Sequence, residues 1–380
     1  NYTVRVDQII SSAQRLYFRY GRVDSTEQYD PVAMRGIYSL PTSASSTNVD
    51  EYSPRRNASA AIDDSITFSP RLVGSFRYGY TRTYLFGRAY GNLESAAEMK
   101  MPQIVIANQV APGYPMIIMG ENMPQFGSRI RTSVNDTHSL YVTFSQLEGK
   151  HTLKYGLDLR AVRWHENAPG QAQNGRFNFD TRFVRSNPTS TASRNTSGTA
   201  MGALLLGLPH DAQIGYNSAL SLQSWYSAVY LQDDYKITRK LMLNLGLRWE
   251  LEIPQTERFD RIAYGMDPDY ELPLKVPGMA PLRGAILFVN TDGRGRRQGE
   301  TDYNNLGPRF GFAYQLNGNT ALRGGYGLYY ASGLSNISPS TVSVNALGSQ
   351  PAFNTLTRIP NNNSSDGGRT PLTTIQNPFP

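Results

Sequence analysis

The side chains best suited to metal binding or acid–base catalysis are four histidines and a pair of adjacent carboxylates, Asp233 and Asp234. The histidines are His138, His151, His165 and His210. None has the spacing of a metal-ligand pair, and the 380-residue chain has no cysteine, so we predict no metal site. Paired carboxylates serve acid–base catalysis, but neighbours in a strand face opposite ways and cannot share one site. We expect one of the two aspartates to lie near a tight turn and to pair with an arginine of a neighbouring strand.

Motifs for covalent catalysis and for phosphate loops are missing from the sequence. It contains no Gly-x-Ser-x-Gly nucleophile elbow. The glycine-rich stretches Gly293–Gly299 and Gly324–Gly327 lack the strand, loop and helix that surround a phosphate-binding loop. We therefore predict no catalytic residue and no cofactor, and we interpret the two stretches as a loop and as part of a strand.

The chain is basic, with 37 Lys and Arg against 30 Asp and Glu and a net charge of +7. A nucleic-acid-binding protein would concentrate these cations in a patch or a recognisable motif. Here the arginines are scattered, and the densest run, Arg294–Arg297, lies in a glycine-rich segment. We expect no nucleic-acid partner.

A repeated hairpin pattern organises the chain. In the clearest strand, Leu241–Leu251, leucine or tryptophan occupies every odd position and mostly polar residues the even ones. Because side chains alternate between the faces of a strand, this segment has one apolar and one mostly polar face. The five predicted hairpins pair Tyr2–Ile9 with Leu16–Val23, Ser59–Phe68 with Leu72–Thr83, Ser139–Leu147 with Thr152–Arg163, Ser224–Tyr235 with Leu241–Leu251, and Arg309–Leu316 with Ala321–Tyr330.

Long segments rich in Pro, Asn, Ser and Gly separate these hairpins. Within them the sequence predicts a short helix at Thr199–Leu206 and further strands at Ala212–Leu222 and Gly284–Val289. Strands of about ten residues, tight turns on one side and long loops on the other are typical of an outer-membrane β-barrel. No apolar run reaches the roughly 18 residues of a membrane helix.

Aromatic and charged side chains fit this all-β membrane interpretation. Predicted membrane-interface aromatics, at strand ends far from the tight turns, are Trp164, Trp225, Trp249 and Tyr326. A charge facing lipid costs about 2–4 kcal/mol at the bilayer midplane, so charged strand faces should line the lumen. The candidate lumen-facing residues are Arg77, Lys154, Asp158, Arg160, Arg248, Arg309 and Arg323. The arginines could form an electropositive wall that favours anionic ligands, or pair with Asp and Glu, and we expect pairing for most of them.

Several segments together resemble TonB-dependent outer-membrane transporters, and more narrowly the Oar-like barrels. The hairpin formed by Tyr230–Thr238 and Leu241–Glu250 resembles a signature hairpin of that family. Other segments that fit the same group are Asn305–Tyr314 with Leu322–Gly327, Phe68–Leu72 before Phe76–Arg82, and Leu204–Pro209. Each motif alone is weak, but together they cover most of the chain.

The resemblance implies a barrel of roughly 22 strands, a plug domain inside it, and energy from the TonB complex of the inner membrane. Its extracellular loops would capture an unknown ligand, and TonB would drive the plug rearrangement that moves this ligand across the outer membrane. The implied partners are outer-membrane lipid, the plug and TonB. No plug and no C-terminal barrel strand is recognisable, so we expect residues 1–380 to be an internal part of the barrel of a longer protein.

Alternative functions remain open at the level of sequence. A passive porin or an adhesin barrel would share the strand pattern but have no plug. A soluble β-rich carbohydrate-binding module would show the same alternation, with its apolar face buried inside a sandwich. An outer-membrane hydrolase ranks third, because Ser, His and Asp are plentiful but no nucleophile motif is present; we predict that the chain is not an enzyme.

Overall fold

The computed structural model describes residues 1–28, 52–87, 95–108, 115–120, 131–167, 175–186, 197–215, 220–273, 275, 277–330, 356–359 and 370–377. The strands are β1 (Tyr2–Ser11), β2 (Gln14–Gln28), β3 (Tyr52–Ser69), β4 (Leu72–Gly87), β5 (Met116–Met119), β6 (Arg131–Glu148), β7 (His151–Asn167), β8 (Arg176–Phe179), β9 (Asp211–Gly215), β10 (Leu220–Lys236), β11 (Leu241–Glu257), β12 (Ala263–Glu271), β13 (Arg283–Phe288), β14 (Asp302–Asn317), β15 (Thr320–Gly327) and β16 (Leu356–Ile359). The two short helices are α1 (Gln103–Asn108) and α2 (Ala200–Leu205).

One antiparallel sheet of ten strands dominates the fold. Its order is β1-β2-β3-β4-β6-β7-β10-β11-β14-β15, so each of these strands lies beside its predecessor in the sheet. All five predicted hairpins are confirmed: β1 pairs with β2, β3 with β4, β6 with β7, β10 with β11, and β14 with β15. Every short turn therefore lies at one end of the sheet, and every long connection leaves from the other end.

Most strands are longer than the sequence pattern indicates. β7 and β10 each have 17 residues, and β3 and β6 each have 18. At about 3.3 Å per residue, 17 residues extend about 56 Å, whereas about 9–11 residues of a tilted strand span a bilayer. The alternating apolar pattern marks only the half of each strand near the short turn, because the half near the long connection has no regular row of apolar side chains.

The register gives the sheet two chemically different faces. Directly paired residues share a face, and the pairs Arg77–Tyr141, Tyr141–Asp158 and Arg248–Gly307 belong to the side that we call the polar face. The apolar face carries Leu72, Phe76, Tyr78, Tyr80, Leu153, Tyr155, Leu157, Leu159, Leu241, Leu243, Leu245, Leu247, Trp249, Phe310, Phe312, Tyr314, Leu322 and Tyr326. Large side chains stay open on this face, as in Leu231 (53% exposed) and Val229 (51%). The strand register thus places these side chains on the faces that the alternating sequence pattern predicts.

The long connections build a second, smaller sheet of order β16-β9-β8-β5. β5 and α1 come from the connection between β4 and β6, β8, α2 and β9 come from the connection between β7 and β10, and β16 follows β15. The buried core that these segments share contains Ala96, Val105, Met119, Phe177, Phe179, Ala200, Ala203, Ala212 and Ile214. The Thr199 side chain caps α2 by accepting a hydrogen bond from the Gly202 backbone N–H, which confirms the predicted short helix.

The connection between β11 and β14 folds back onto the polar face. Its strands β12 and β13 pair with each other, which confirms the predicted strand near Gly284–Val289. At the base of this hairpin, Ile262 and Val289 pack against Trp164 of β7 and Leu222 of β10. This cluster covers the end of the polar face from which the long connections leave. Among the described residues, no helix is long and apolar enough to cross a membrane.

Strand packing at Gly156 requires glycine. A Cβ atom at this position would collide with the backbone carbonyl oxygen of Val142 on β6 and lie 3.0 Å from the Tyr230 hydroxyl. The Tyr230 side chain extends across this bare backbone and shares a 2.8 Å hydrogen bond with Thr143 on the next strand. A cross-strand aromatic over a strand glycine is a device that fixes register.

We expect Gly156→Ala to lower the free energy of unfolding by about 1–3 kcal/mol, the usual cost of overpacking a filled site. Urea unfolding of the full-length protein in lipid vesicles, followed by tryptophan emission, measures this change. Gly295→Ala is the matched control, because no atom lies within 4 Å of its added methyl group. Equal unfolding midpoints for the two variants would contradict the steric role of Gly156.

Candidate functional site

Asp158 is the centre of a buried charged network on the polar face. Its side chain is nearly inaccessible and accepts two hydrogen bonds from Arg160, at 3.0 and 2.8 Å. Arg248, two strands away on β11, donates a third hydrogen bond to the same carboxylate at 3.0 Å. Arg248 also donates to Glu250 at 2.6 Å. Two guanidinium groups and two carboxylates thus neutralise one another in one place.

Tyrosines separate and support these guanidinium groups. The Arg160 guanidinium lies 5.4 Å from the ring centre of Tyr141 and 5.1 Å from that of Tyr226. Arg248 donates a 2.9 Å hydrogen bond to the Tyr226 hydroxyl and lies 5.8 Å from the Tyr230 ring centre. Cation–π contact within about 6 Å holds a guanidinium plane without a further carboxylate. The result is a ladder of arginine and tyrosine that crosses four neighbouring strands from β6 to β11.

Two further ion pairs extend the polar face. On β3, buried Asp63 accepts from Arg77 of β4 at 2.5 Å and from Ser65 and Ser75 at 3.3 Å. Nearer the short turns, Lys154 lies 3.6 Å from Asp234. Pairing therefore accounts for Arg77, Lys154, Arg160 and Arg248, as expected for most of the candidate cations.

Arg309 and Arg323 differ from the other candidates. Neither is within salt-bridge distance of a carboxylate in the part of the chain that the structure describes. Arg309 instead places its guanidinium 4.6 Å from the ring centre of Tyr329. Arg323 is exposed near the short turns. Both therefore carry positive charge without a carboxylate partner at the β14–β15 end of the polar face.

The two adjacent aspartates have separate structural roles. Asp234 lies on the polar face, where Asn244 and Gln232 donate hydrogen bonds to it. Asp233 lies on the other face, 2.6 Å from His151, whose ring stacks on Tyr235 with centres 4.2 Å apart. The prediction that the two aspartates face opposite ways near a tight turn is confirmed. The prediction that one of them pairs with an arginine is wrong. Lys154 and His151 occupy the places beside the two carboxylates, because the register brings β7 to this end of β10.

The predicted interface tryptophans do not share one face. Trp225, Trp249 and Tyr326 lie on the apolar face, and their exposed fractions are 44%, 39% and 69%. Trp164 is 6% exposed on the polar face, donates a 3.0 Å hydrogen bond to Ser133, and packs against the β12–β13 base. The prediction of Trp164 as an interface residue is therefore wrong. Counting by twos from Asp158 reaches Trp164, so alternation along β7 would have placed these two side chains on the same face.

A bulge in β11 places a second buried carboxylate on the polar face. The register shifts by one residue between the Trp225–Ile253 and Gln223–Thr256 pairs, so that Glu257 faces Leu222. Fully buried Glu257 accepts hydrogen bonds from the backbone N–H groups of Ser221, at 3.2 Å, and of Phe259 and Arg261, at 2.8 and 3.0 Å. The Arg261 guanidinium donates at 3.1 Å.

A second ion pair, next to Glu257, reaches the last part of the connection between β11 and β14. Asp260 accepts a 2.6 Å hydrogen bond from Arg296, which also donates to the carbonyl oxygen of Glu257. The basic run Arg294–Arg297 thus stabilises the connection between β11 and β14. The start and the end of this connection are both held at the C-terminal end of β11.

Sequence reasoning missed several polar-face residues that pair with or support arginine side chains, namely Asp63, Tyr141, Tyr226, Tyr230, Glu250 and Glu257. Tyr226 and Tyr230 lie in a strand with apolar residues in both phases, where alternation alone does not assign a face. Glu250, two residues from Arg248, repeats the spacing of Asp158 and Arg160, and this signal was available. No group of three or more potential metal ligands occurs among the described residues.

We expect Asp158→Asn to lower the free energy of unfolding by about 2–3 kcal/mol, less than the full cost of an orphaned buried charge because Arg160 and Arg248 are partly exposed. Urea unfolding of the full-length protein tests this. Asp7→Asn is the matched control, since Arg5 donates two hydrogen bonds to Asp7 in the same way, but in an exposed position. A similar midpoint shift in both variants would show that the Asp158 network contributes no more than a surface pair.

Comparison with known proteins agrees with this architecture. Residues 1–380 match the family model described as an outer membrane beta barrel domain. No curated protein matches the chain. Among solved structures, the open form of the ferric-catecholate import receptor Fiu from E. coli K12 is 13% identical, with 86% of this chain and 46% of that chain covered and a TM-score of 0.37. For FpvA of P. aeruginosa bound to a heterologous pyoverdine, the identity is 11%, the coverage 85% and 34%, and the TM-score 0.42.

The chain spans less than half the length of these two structures, and similarity at this level carries no further argument. The family model, in contrast, covers every residue. The chain belongs to the outer membrane β-barrel domain family, and its ten-stranded sheet is barrel wall of the bacterial outer membrane.

Proposed function

We propose that this chain forms part of the barrel of a TonB-dependent outer-membrane transporter or receptor. In this proposal the apolar face contacts lipid, the polar face lines the lumen, and the short turns lie on the periplasmic side. The long connections, including the small sheet and the β12–β13 hairpin, are then extracellular and capture the ligand. A plug domain inside the barrel rearranges when TonB supplies energy, and the ligand crosses the membrane.

The observation that carries the proposal is the neutral, buried network around Asp158. An open pore that conducts ions keeps its wall charges hydrated and exerts a net field on the passing ions. Here Asp158 and Tyr226 are only 3% and 5% exposed, and every guanidinium of the ladder has a carboxylate or aromatic partner. A wall with little net charge and fixed side chains suits contact with a folded domain in the lumen. The family resemblance of the β10–β11 hairpin supplies the TonB connection.

Membership of an outer-membrane family leaves a passive porin or an adhesin as the alternative, and not a soluble carbohydrate-binding module. Channel conductance separates the two barrel functions, because a plugged barrel passes little current. We expect the full-length protein in planar bilayers to show no steady conductance. We also expect it to bind the purified periplasmic domain of TonB. Large stable channels without TonB binding would contradict the proposal and favour a porin.

The membrane orientation predicts different lipid contact for the three tryptophans. In single-tryptophan variants of the full-length protein, made with Phe at the other positions, we expect brominated lipids to quench Trp225 and Trp249. Both lie exposed on the apolar face, toward the long connections. Trp164 is the internal control: its buried position on the polar face should leave its emission nearly unquenched. Equal quenching of all three would contradict the assigned facing.

A further inference from the structure

Four cationic side chains line one cleft between the two short turns at residues 237–240 and 317–320. They are Lys236, Arg239, Lys240 and Arg323, and all four are exposed. The cleft has a volume of about 640 Å³, and no acidic residue lines it. In the described part of the chain, none of the four is within salt-bridge distance of a carboxylate. This contrasts with the paired cations around Asp158.

The strand register brings two of these cations toward each other. Lys236 pairs with Met242, Met242 with Ala313, and Ala313 with Arg323. These four paired residues therefore form one row on the polar face. Lys236 and Arg323 stand at its two ends, on strands about 14 Å apart. The small Ala313 in this row leaves room for both long side chains to extend inward. Arg239 and Lys240 add charge from the adjoining turn.

Neutral groups in the cleft offer hydrogen-bond donors to an anion. The Thr238 hydroxyl oxygen already accepts from the backbone N–H groups of Lys240 and Leu241, at 3.1 and 3.0 Å, so its hydroxyl proton stays free to donate. The Asn317 side-chain oxygen likewise accepts from the Asn319 N–H at 2.9 Å, which leaves the NH2 group as donor. Positive charge together with free hydrogen-bond donors, and without a carboxylate, is a binding environment for an anion.

We propose that this cleft binds a phosphate group, either of an anionic phospholipid or of a soluble phosphate compound. Clustered Lys and Arg beside a membrane attract anionic headgroups, and Arg matches phosphate oxygens with two donors. Leu241 and Tyr314 of the apolar face also line the cleft, so it opens around the short-turn end of the sheet toward the barrel surface, where the acyl chains of a bound lipid would lie. The site lies at the short-turn end, which in this family of barrels faces the periplasm. It does not depend on TonB or on a plug.

The test is calorimetric titration of the full-length protein in neutral detergent. One probe is dihexanoyl phosphatidylglycerol below its micelle concentration, and the other is sodium phosphate. The test variant is Arg239→Gln with Arg323→Gln, which removes one cation from the turn and one from the row. The matched control is Arg15→Gln with Arg71→Gln, which removes the same charge near another pair of short turns, outside the cleft.

We expect saturable binding that weakens at least tenfold in the test variant and stays within twofold in the control. Binding of both probes would assign the site to the phosphate group alone, and binding of the lipid only would assign it to phospholipid. The proposal is overturned if neither probe binds the wild type, or if both variants lose affinity equally, since the attraction would then come from net charge. Dihexanoyl phosphatidylcholine, which has no net charge, should bind at least tenfold more weakly than the anionic lipid.

Discussion

Pairing of backbone N–H and C=O groups is the constraint on which the rest of this structure depends. In hydrocarbon, each unpaired group costs several kcal/mol, roughly the price of a lost hydrogen bond without water to replace it. Ten strands satisfy this requirement by pairing in sequence order, and the pleat then assigns every side chain to one of two faces. The register that pairs Asp63 with Arg77 on one face also pairs Ile62 with Tyr78 on the other. Lipid compatibility and the internal charge network are therefore two results of one hydrogen-bond pattern.

The network around Asp158 shows how a membrane barrel can hold several charges in one place without a strong field. Asp158 with Arg160, and Arg248 with Glu250, pair within a strand, and a hydrogen bond from Arg248 to Asp158 connects the two pairs across β10. Tyrosines fill the spaces between them. Such a network specifies one arrangement of its strands, because a shift of one strand by one residue would move the charges of that strand to the apolar face.

Local features of the fold were predictable from sequence, and features set by distant contacts were not. Alternation and turn residues identified all five hairpins, and the same alternation placed Leu245, Phe310 and Arg309 on their faces. The partner of Asp233 was mispredicted, because strand pairing between β7 and β10 selects His151 and sequence does not. The bulge near Ile253 carries no signal beyond Pro254, yet it turns Glu257 inward. The small sheet combines segments from two connections and from the stretch that follows β15, and no periodicity within any one of them indicates the others.

The small sheet has a consequence for the order in which the molecule folds. β16 pairs with β9 although all of β10 to β15 lies between them in the chain, and β8 pairs in parallel with β5 across β6 and β7. Loop closure over such separations is entropically costly until the intervening strands are in place. The main sheet should therefore form first and act as the template on which the small sheet assembles. A substitution in the shared core around Phe177 would then delay only the last step of maturation, when the ten-stranded sheet has already formed.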